Sequence, residues 1–183
     1  QETNETHEKH ELIPDAVIVQ HAGSIGYFSG GIGYELFKNK KGNLDLLYGH
    51  LPRRKGGNLD IVTAKFAYRP FKIRINDVAV IYPANPGVFL SYTFGENLSF
   101  TFDKDQYSRG YYGWSEALRS HLSISNELEL SGKNLFNSKR NRSLVFYSEF
   151  NANDLYLVSW ATNRDGLSFF KIFKLGVGAK VKF

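Results

Sequence analysis

The sequence predicts an all-β protein, a closed antiparallel barrel of eight strands. Three observations carry that reading. Apolar and polar residues alternate along segment after segment, aromatic residues and glycine are abundant (Phe 15, Tyr 11, Gly 17), and no helical run stands out. At 183 residues the chain has room for one domain. It holds nothing near the roughly 18 consecutive apolar residues of a membrane-spanning helix, and a mean hydropathy of −0.34 agrees. Cysteine is absent, which excludes disulfides, zinc–thiolate centres and thiol nucleophiles. Methionine is absent too, even at position 1, so a removed N-terminal targeting peptide is expected. The net charge of +5 permits an anionic partner without requiring one.

Residues 1–15 (QETNETHEKHELIPD) are polar and aperiodic, and we assign 1–21 to a polar N-terminal tail and 22–183 to the barrel. Between Ser24 and Phe37, Phe28, Ile32, Tyr34 and Leu36 share one face, with Gly31, Gly33 and Glu35 opposite. After a turn at 38–43 comes Leu44–His50, and after the break at 52–57 comes Leu59–Arg69, where Val62, Ala64, Phe66 and Tyr68 alternate with Thr63, Lys65, Ala67 and Arg69. Pro70 interrupts. Lys72–Tyr82 and Val88–Phe94 follow as two strands, separated by a predicted turn at Pro83-Ala84-Asn85-Pro86-Gly87.

The segment Trp114–Leu130 is the longest. It carries Leu118, Leu122, Ile124, Leu128 and Leu130 on one face and Arg119, His121, Ser123, Ser125, Glu127 and Glu129 on the other. Such length is unusual in soluble proteins, whose strands cluster near 5–6 residues. Arg142–Phe150 and Phe170–Phe183 complete the eight. A ten-stranded alternative adds Leu98–Phe102 and Leu155–Thr162, although both are short for a span of about 9–11 residues.

Alternation alone does not say which face is buried. A soluble sandwich or lipocalin-like barrel turns its apolar face inward, whereas a transmembrane barrel turns it toward lipid. Three features favour the second arrangement. Gly31, Gly33, Gly176 and Gly178 share the polar faces, as a crowded lumen requires. Arg119, His121, Glu127 and Glu129 are able to compensate one another as a polar network inside a closed lumen. Aromatics (Tyr68, Tyr82, Tyr111, Tyr112, Trp114, Phe183) gather near segment ends, as interface girdles do.

The last segment, KIFKLGVGAKVKF, resembles the terminal strand of bacterial outer-membrane β-barrels, which end in an aromatic residue preceded by alternating hydrophobics. Leu175, Val177, Ala179, Val181 and Phe183 match that assembly signal. The resemblance implies a multi-pass protein of a Gram-negative outer membrane, with both termini periplasmic and membrane lipid as its surroundings. On that frame 38–43, 70–71, 95–112 and 151–169 are expected outside, and 51–57, 83–87 and 131–141 inside.

Eight strands leave a lumen filled by side chains, which excludes a general diffusion pore. The function expected is therefore that of an interaction or accessory subunit, within a larger outer-membrane complex and in contact with protein partners. Phe100, Phe102, Tyr107, Tyr111 and Tyr112 in the long outer loop offer the contact surface. The alternative is a lipid-modifying enzyme. His121 and Ser123 share a strand face and Glu127 can supply an acid. This pair resembles the His-x-Ser of outer-membrane lipid A deacylases, except that Ile124 stands where those enzymes have asparagine. A soluble β-barrel binder is the third reading.

His7 and His10, with Glu8 and Glu11, form no more than a polar tail, and no metal or other cofactor is expected. Basic clusters at Arg53-Arg54-Lys55 and Lys139-Arg140-Arg142 fall on the expected inner side, where an acidic protein or polyanion is a conceivable partner. Lys38, Lys40 and Lys41 fall outside, within reach of lipid phosphates. No motif supports nucleic-acid binding.

Overall fold

Strand register closes the chain on itself. The computed structural model describes residues 13–55, 57–95, 117–131, 142–163 and 168–183. Eight strands form the ring: β1 (Ala16–Ala22), β2 (Phe28–Leu36), β3 (Gly42–Leu51), β4 (Leu59–Tyr68), β6 (Ala79–Phe94), β7 (Leu118–Ser131), β8 (Ser143–Asn153) and β9 (Lys174–Lys182). All pairings are antiparallel. β9 returns to β1 with Val181 opposite Val17, and β4 bypasses the short β5 (Ile73–Arg74) to pair with β6, Val62 opposite Tyr92. The ring therefore has no free edge. β5 lies outside it, pairing only with the lower part of β6.

The pleat then sorts the side chains. On β7, Leu122 and Ile124 are exposed outward, while His121, Ser125 and Glu127 are buried inward. On β9, Leu175, Val177 and Val181 are exposed and Lys180 is buried. On β4, Val62 is exposed while Thr63 and Lys65 are buried. The wall is apolar, and the interior is polar and charged around a small apolar cluster of Ile18, Ile25, Leu47, Phe89 and Tyr147, the reverse of a water-soluble barrel's polarity.

The lumen is narrow enough that side-chain size is rationed. A Cβ on Gly31 would collide with the Leu46 carbonyl oxygen, and one on Gly49 with that of Ile25. A Cβ on Gly33 would lie 3.1 Å from Ile18 Cδ1, so the isoleucine occupies the space the glycine leaves.

Several expectations need correction. The barrel begins at Ala16, not at residue 22, because AVIVQHA is the first strand. Residues 83–87 are not a turn. β6 runs unbroken from Ala79 to Phe94, and the register shift between Tyr82 and Asn85 marks a bulge inside it. The count of eight survives because one missed strand offsets one strand split in two.

The same two errors invert part of the loop placement. Turns 37–41 and 69–78 lie at the end that carries the termini, and 52–58 lies at the far end. This reverses 38–43, 51–57 and 70–71. From β6 onward the parity is restored: the β6–β7 and β8–β9 connections leave from the far end and the β7–β8 connection from the terminal end, as expected.

The ten-stranded alternative fails at Leu155–Thr162, which is helical. Helix α1 (Asp154–Thr162) starts at Asn153, whose side chain accepts from the Tyr156 N–H, with Asp154 in its first turn. Leu98–Phe102 lies outside the described residues.

Candidate functional site

The built chemistry of this protein lies in its lumen. Near the far end, Lys65 Nζ reaches Glu149 at 2.9 Å and Gln20 Oε1 at 3.0 Å, and the Tyr147 hydroxyl donates to the same Gln20 oxygen at 2.7 Å. In the middle, Lys180 contacts Asp45 at 2.7 Å and Glu127 at 3.6 Å, while Arg69 clasps Glu127 through Nε at 2.7 Å and Nη2 at 2.6 Å. Toward the terminal end, Lys182 bridges Glu35 and Glu129, the Ser143 hydroxyl donates to Glu129 at 2.7 Å, and Lys40 caps Glu35 at 2.9 Å. Glu35 holds the Lys40 ammonium above the ordinary lysine range by hydrogen bonding and charge.

Four inward-facing cations (Lys65, Arg69, Lys180, Lys182) and the exposed Lys40 at the rim face five anions (Glu35, Asp45, Glu127, Glu129, Glu149) in this described network. Neutrality is what burial demands, since an unpaired ion in a low-dielectric interior costs several kcal/mol. Tyr147 spans two levels of the ladder, its ring centroid 5.9 Å from Lys65 Nζ and 5.2 Å from Lys180 Nζ. Packed in this way, the described side chains cross the middle of the lumen.

Of the residues expected to form this network, Glu127 and Glu129 are in it. His121 is buried but stands apart, stacked on Phe89 at 4.1 Å and 10°. Arg119 also lies near the far end, where its Nη1 donates to the Leu118 carbonyl at 3.0 Å. The principal partners (Asp45, Lys65, Arg69, Glu149 and Lys180) were not assigned to the network in the sequence reading. A signal for them existed, because Lys65 and Arg69 lie on the polar phase of their strand, as Lys180 and Lys182 do on theirs. Pairing between distant strands is invisible to a period-two pattern.

The structure does not bring Glu127 to His121. His121 Nε2 lies 2.9 Å from Ser91 Oγ, a partner on β6, and its Nδ1 meets no hydrogen-bonding partner among the described residues. Glu127 follows His121 by six positions along an extended strand, roughly 20 Å at about 3.3 Å per residue, and it is committed to Arg69 and Lys180. No acid of a triad reaches His121 from there.

On the outside, Leu175, Val177, Ala179 and Val181 line one face of β9, and Phe183 continues it beyond the strand. Tyr68 and Phe183 stand exposed at the terminal end, as a girdle would require. Tyr82 does not join them. It pairs with Glu127 and turns into the lumen, where the Arg69 guanidinium lies 4.7 Å from its ring. Phe100, Phe102, Tyr107, Tyr111, Tyr112 and Trp114 lie outside the described residues, as do His7, Glu8, His10, Glu11, Lys139 and Arg140.

Arg53, Arg54 and Lys55 form an exposed 3-10 turn at the far end, and Lys38, Lys40 and Lys41 lie at the terminal end, the opposite of their expected places. Comparisons of the chain with protein-family models, curated proteins and solved structures find no match.

Proposed function

We propose that this chain is a small integral outer-membrane β-barrel with both termini in the periplasm, acting as an interaction or accessory subunit of a larger outer-membrane assembly. The observation that carries the reading is the reversed polarity of the barrel. Val19, Val62, Leu122, Val177 and Phe146 are exposed on the wall, while Lys65, Lys180, Glu127 and Glu149 are buried at its centre. In water this arrangement is unfavourable on both counts: soluble monomers rarely expose contiguous apolar patches beyond a few hundred Å², and ions are buried without gain. Against lipid, the wall is solvated by acyl chains, and ladder pairing around the closed ring satisfies the backbone along each strand apart from the bulged stretch of β6.

The charged side chains that cross the lumen support an accessory role over conduction, since eight strands leave an interior too narrow for an open aqueous channel beside them. A soluble binder would need its apolar face inside. A lipid-modifying enzyme would need an assembled, lipid-accessible nucleophile, and His121 faces the lumen with Ser91 as its partner. The outward alternation of Leu175, Val177, Ala179 and Val181 along β9, continued by Phe183, supports recognition by outer-membrane assembly machinery.

The test has two parts. Alkaline carbonate should leave the protein in the outer-membrane pellet, and unboiled samples should migrate faster in gels than boiled ones; release into the soluble fraction overturns the membrane reading. Mild detergent extraction should then bring a stoichiometric protein partner through affinity purification. Recovery of the barrel alone from its native membrane, before and after cross-linking, overturns the accessory role.

A further inference from the structure

We propose that the far rim between β1 and β4 is a docking site for a phosphorylated glycolipid of the outward leaflet. The inference rests on the membrane orientation given under the proposed function. Two rows in strand register and a basic turn beyond them are stacked there.

The lowest tier is the outward row Val19, Gly30, Tyr48 and Val62, residues paired directly across β1, β2, β3 and β4. Val19, Tyr48 and Val62 are exposed. Gly30 between them leaves a furrow: a Cβ built there would meet nothing closer than the Ile18 carbonyl oxygen at 3.8 Å. Glycine is costly in a strand that gains nothing from it. Gly31 and Gly49 are needed for close approach in the lumen, but Gly30 faces outward into open space. A furrow with apolar banks suits one acyl chain.

The second tier is the row His21, Phe28, His50 and Asp60. His21, Tyr27 and Phe28 pack ring on ring at 4.6–5.0 Å, and His50 Nδ1 lies 2.8 Å from Asp60 Oδ1. Aromatic rings beside polar groups able to bond hydroxyls suit the headgroup level of a membrane.

The third tier is the 3-10 turn Arg53–Lys55, three exposed cations with no acidic residue among them. Lys55 Nζ sits 5.2 Å from the Tyr27 ring, which ties the cationic tier to the aromatic one. Successive rows of a tilted strand are separated by roughly 5 Å along the barrel axis. Acyl chain, sugar and phosphate of a glycolipid follow one another in the same order and at similar spacing. Of the two basic turns, this one is at the far end, whereas the turn at 37–41 is at the terminal end and Lys40 there is already paired with Glu35.

Fluorescent diphosphorylated lipid A, titrated into the full-length barrel in a neutral detergent and followed by anisotropy, tests the proposal. Wild-type protein should bind saturably, and dephosphorylated lipid A should bind far more weakly. The triple variant Arg53→Ala/Arg54→Ala/Lys55→Ala should lose on the order of a hundred-fold in affinity, as three surface cations near phosphate imply. Gly30→Leu, which fills the furrow and leaves the cations in place, should weaken binding by about ten-fold or more. Lys38→Ala/Lys41→Ala at the other end should have no effect. Raising salt with the wild type reads the same electrostatics without any substitution, and weakening is expected.

Equal affinity of the triple variant or of dephosphorylated lipid A overturns the proposal, as does a salt-independent signal. Full competition by inorganic phosphate at equimolar concentration would instead identify a free-anion site and equally overturn it. Heat-modifiable migration of each variant separates these outcomes from a failure of the barrel itself.

Discussion

Lys180 on β9 and Asp45 on β3 meet across the lumen, Nζ to Oδ2 at 2.7 Å, although 135 positions separate them in the chain. Two strands, β1 and β2, lie between β9 and β3 along the wall, so the contact exists only because the sheet is closed and narrow. Lys180 also serves Glu127 at 3.6 Å. Replacing Lys180 by Met removes the counter-charge of two buried carboxylates, and a loss of about 3–5 kcal/mol is expected. Adding Asp45→Asn should recover part of that loss, since it removes one of the stranded charges. Urea unfolding in detergent micelles measures both. A Lys180→Met variant within about 0.5 kcal/mol of wild type would mean that water reaches the lumen and screens it.

Two adjacent glycines should respond in opposite ways to the same substitution. A Cβ at Gly31 runs into the Leu46 carbonyl, part of the backbone of the neighbouring strand, which cannot step aside. A Cβ at Gly30 points outward into free space. Gly31→Ala is therefore expected to cost about 1–3 kcal/mol or to block folding, while Gly30→Ala should be neutral or slightly stabilising. Refolding yield and unfolding midpoints of the pair make the comparison. Equal tolerance at both sites would require a wider barrel than this register allows.

Most of the barrel was legible in the sequence because lipid-facing and lumen-facing positions differ chemically, as along β7 and β9. The exceptions have identifiable causes. β1 escaped because both of its faces carry apolar residues: Val17 and Val19 point outward, and Ile18 is wholly buried inside against Gly33. Alternation has no contrast there.

β6 was cut in two because Pro83 and Pro86 normally end strands. They are tolerated since β6 pairs with β5 at Val80 and Ile81 and with β4 only from Gly87 onward. Between those points one side of the strand lacks a partner, and the missing N–H groups of proline forfeit no ladder bond on that side. The bulge there is closed locally. Asn85 Nδ2 donates to the Tyr82 carbonyl at 3.0 Å, and the Ala84 N–H donates to Asn126 Oδ1 at 3.0 Å. The lumen partners stayed hidden for a different reason, since which lysine meets which carboxylate is fixed by shear and closure.

Charge on the outer wall discriminates lipid from water. Val177 stands on the exposed face of β9, midway along the strand. In a bilayer, Val177→Arg is expected to destabilise by about 2–4 kcal/mol, whereas the same change at a rim position such as Phe94 should cost about 0–1 kcal/mol. In a water-soluble barrel both would be close to neutral, within about 0.5 kcal/mol. Unfolding in phospholipid vesicles measures the depth dependence. A flat profile would remove the physical basis for the membrane reading.

The role of Phe183 is separable from stability. Its side chain is 56% exposed, while its backbone N–H donates to the Asp15 carbonyl at 3.1 Å and so extends the ladder between the two ends of the ring. Phe183→Ser keeps that backbone bond and removes an outward ring, so the refolded barrel should lie within about 0.5–1 kcal/mol of wild type. If the terminal aromatic is read by assembly machinery, the fraction of heat-modifiable protein in cells should nevertheless fall several-fold. Deleting Phe183 removes the backbone bond as well and should lower stability and assembly together. An unchanged assembled fraction for Phe183→Ser would show that β9 needs only its alternation, with Leu175, Val177, Ala179 and Val181 sufficient, and that the terminal ring carries no signal.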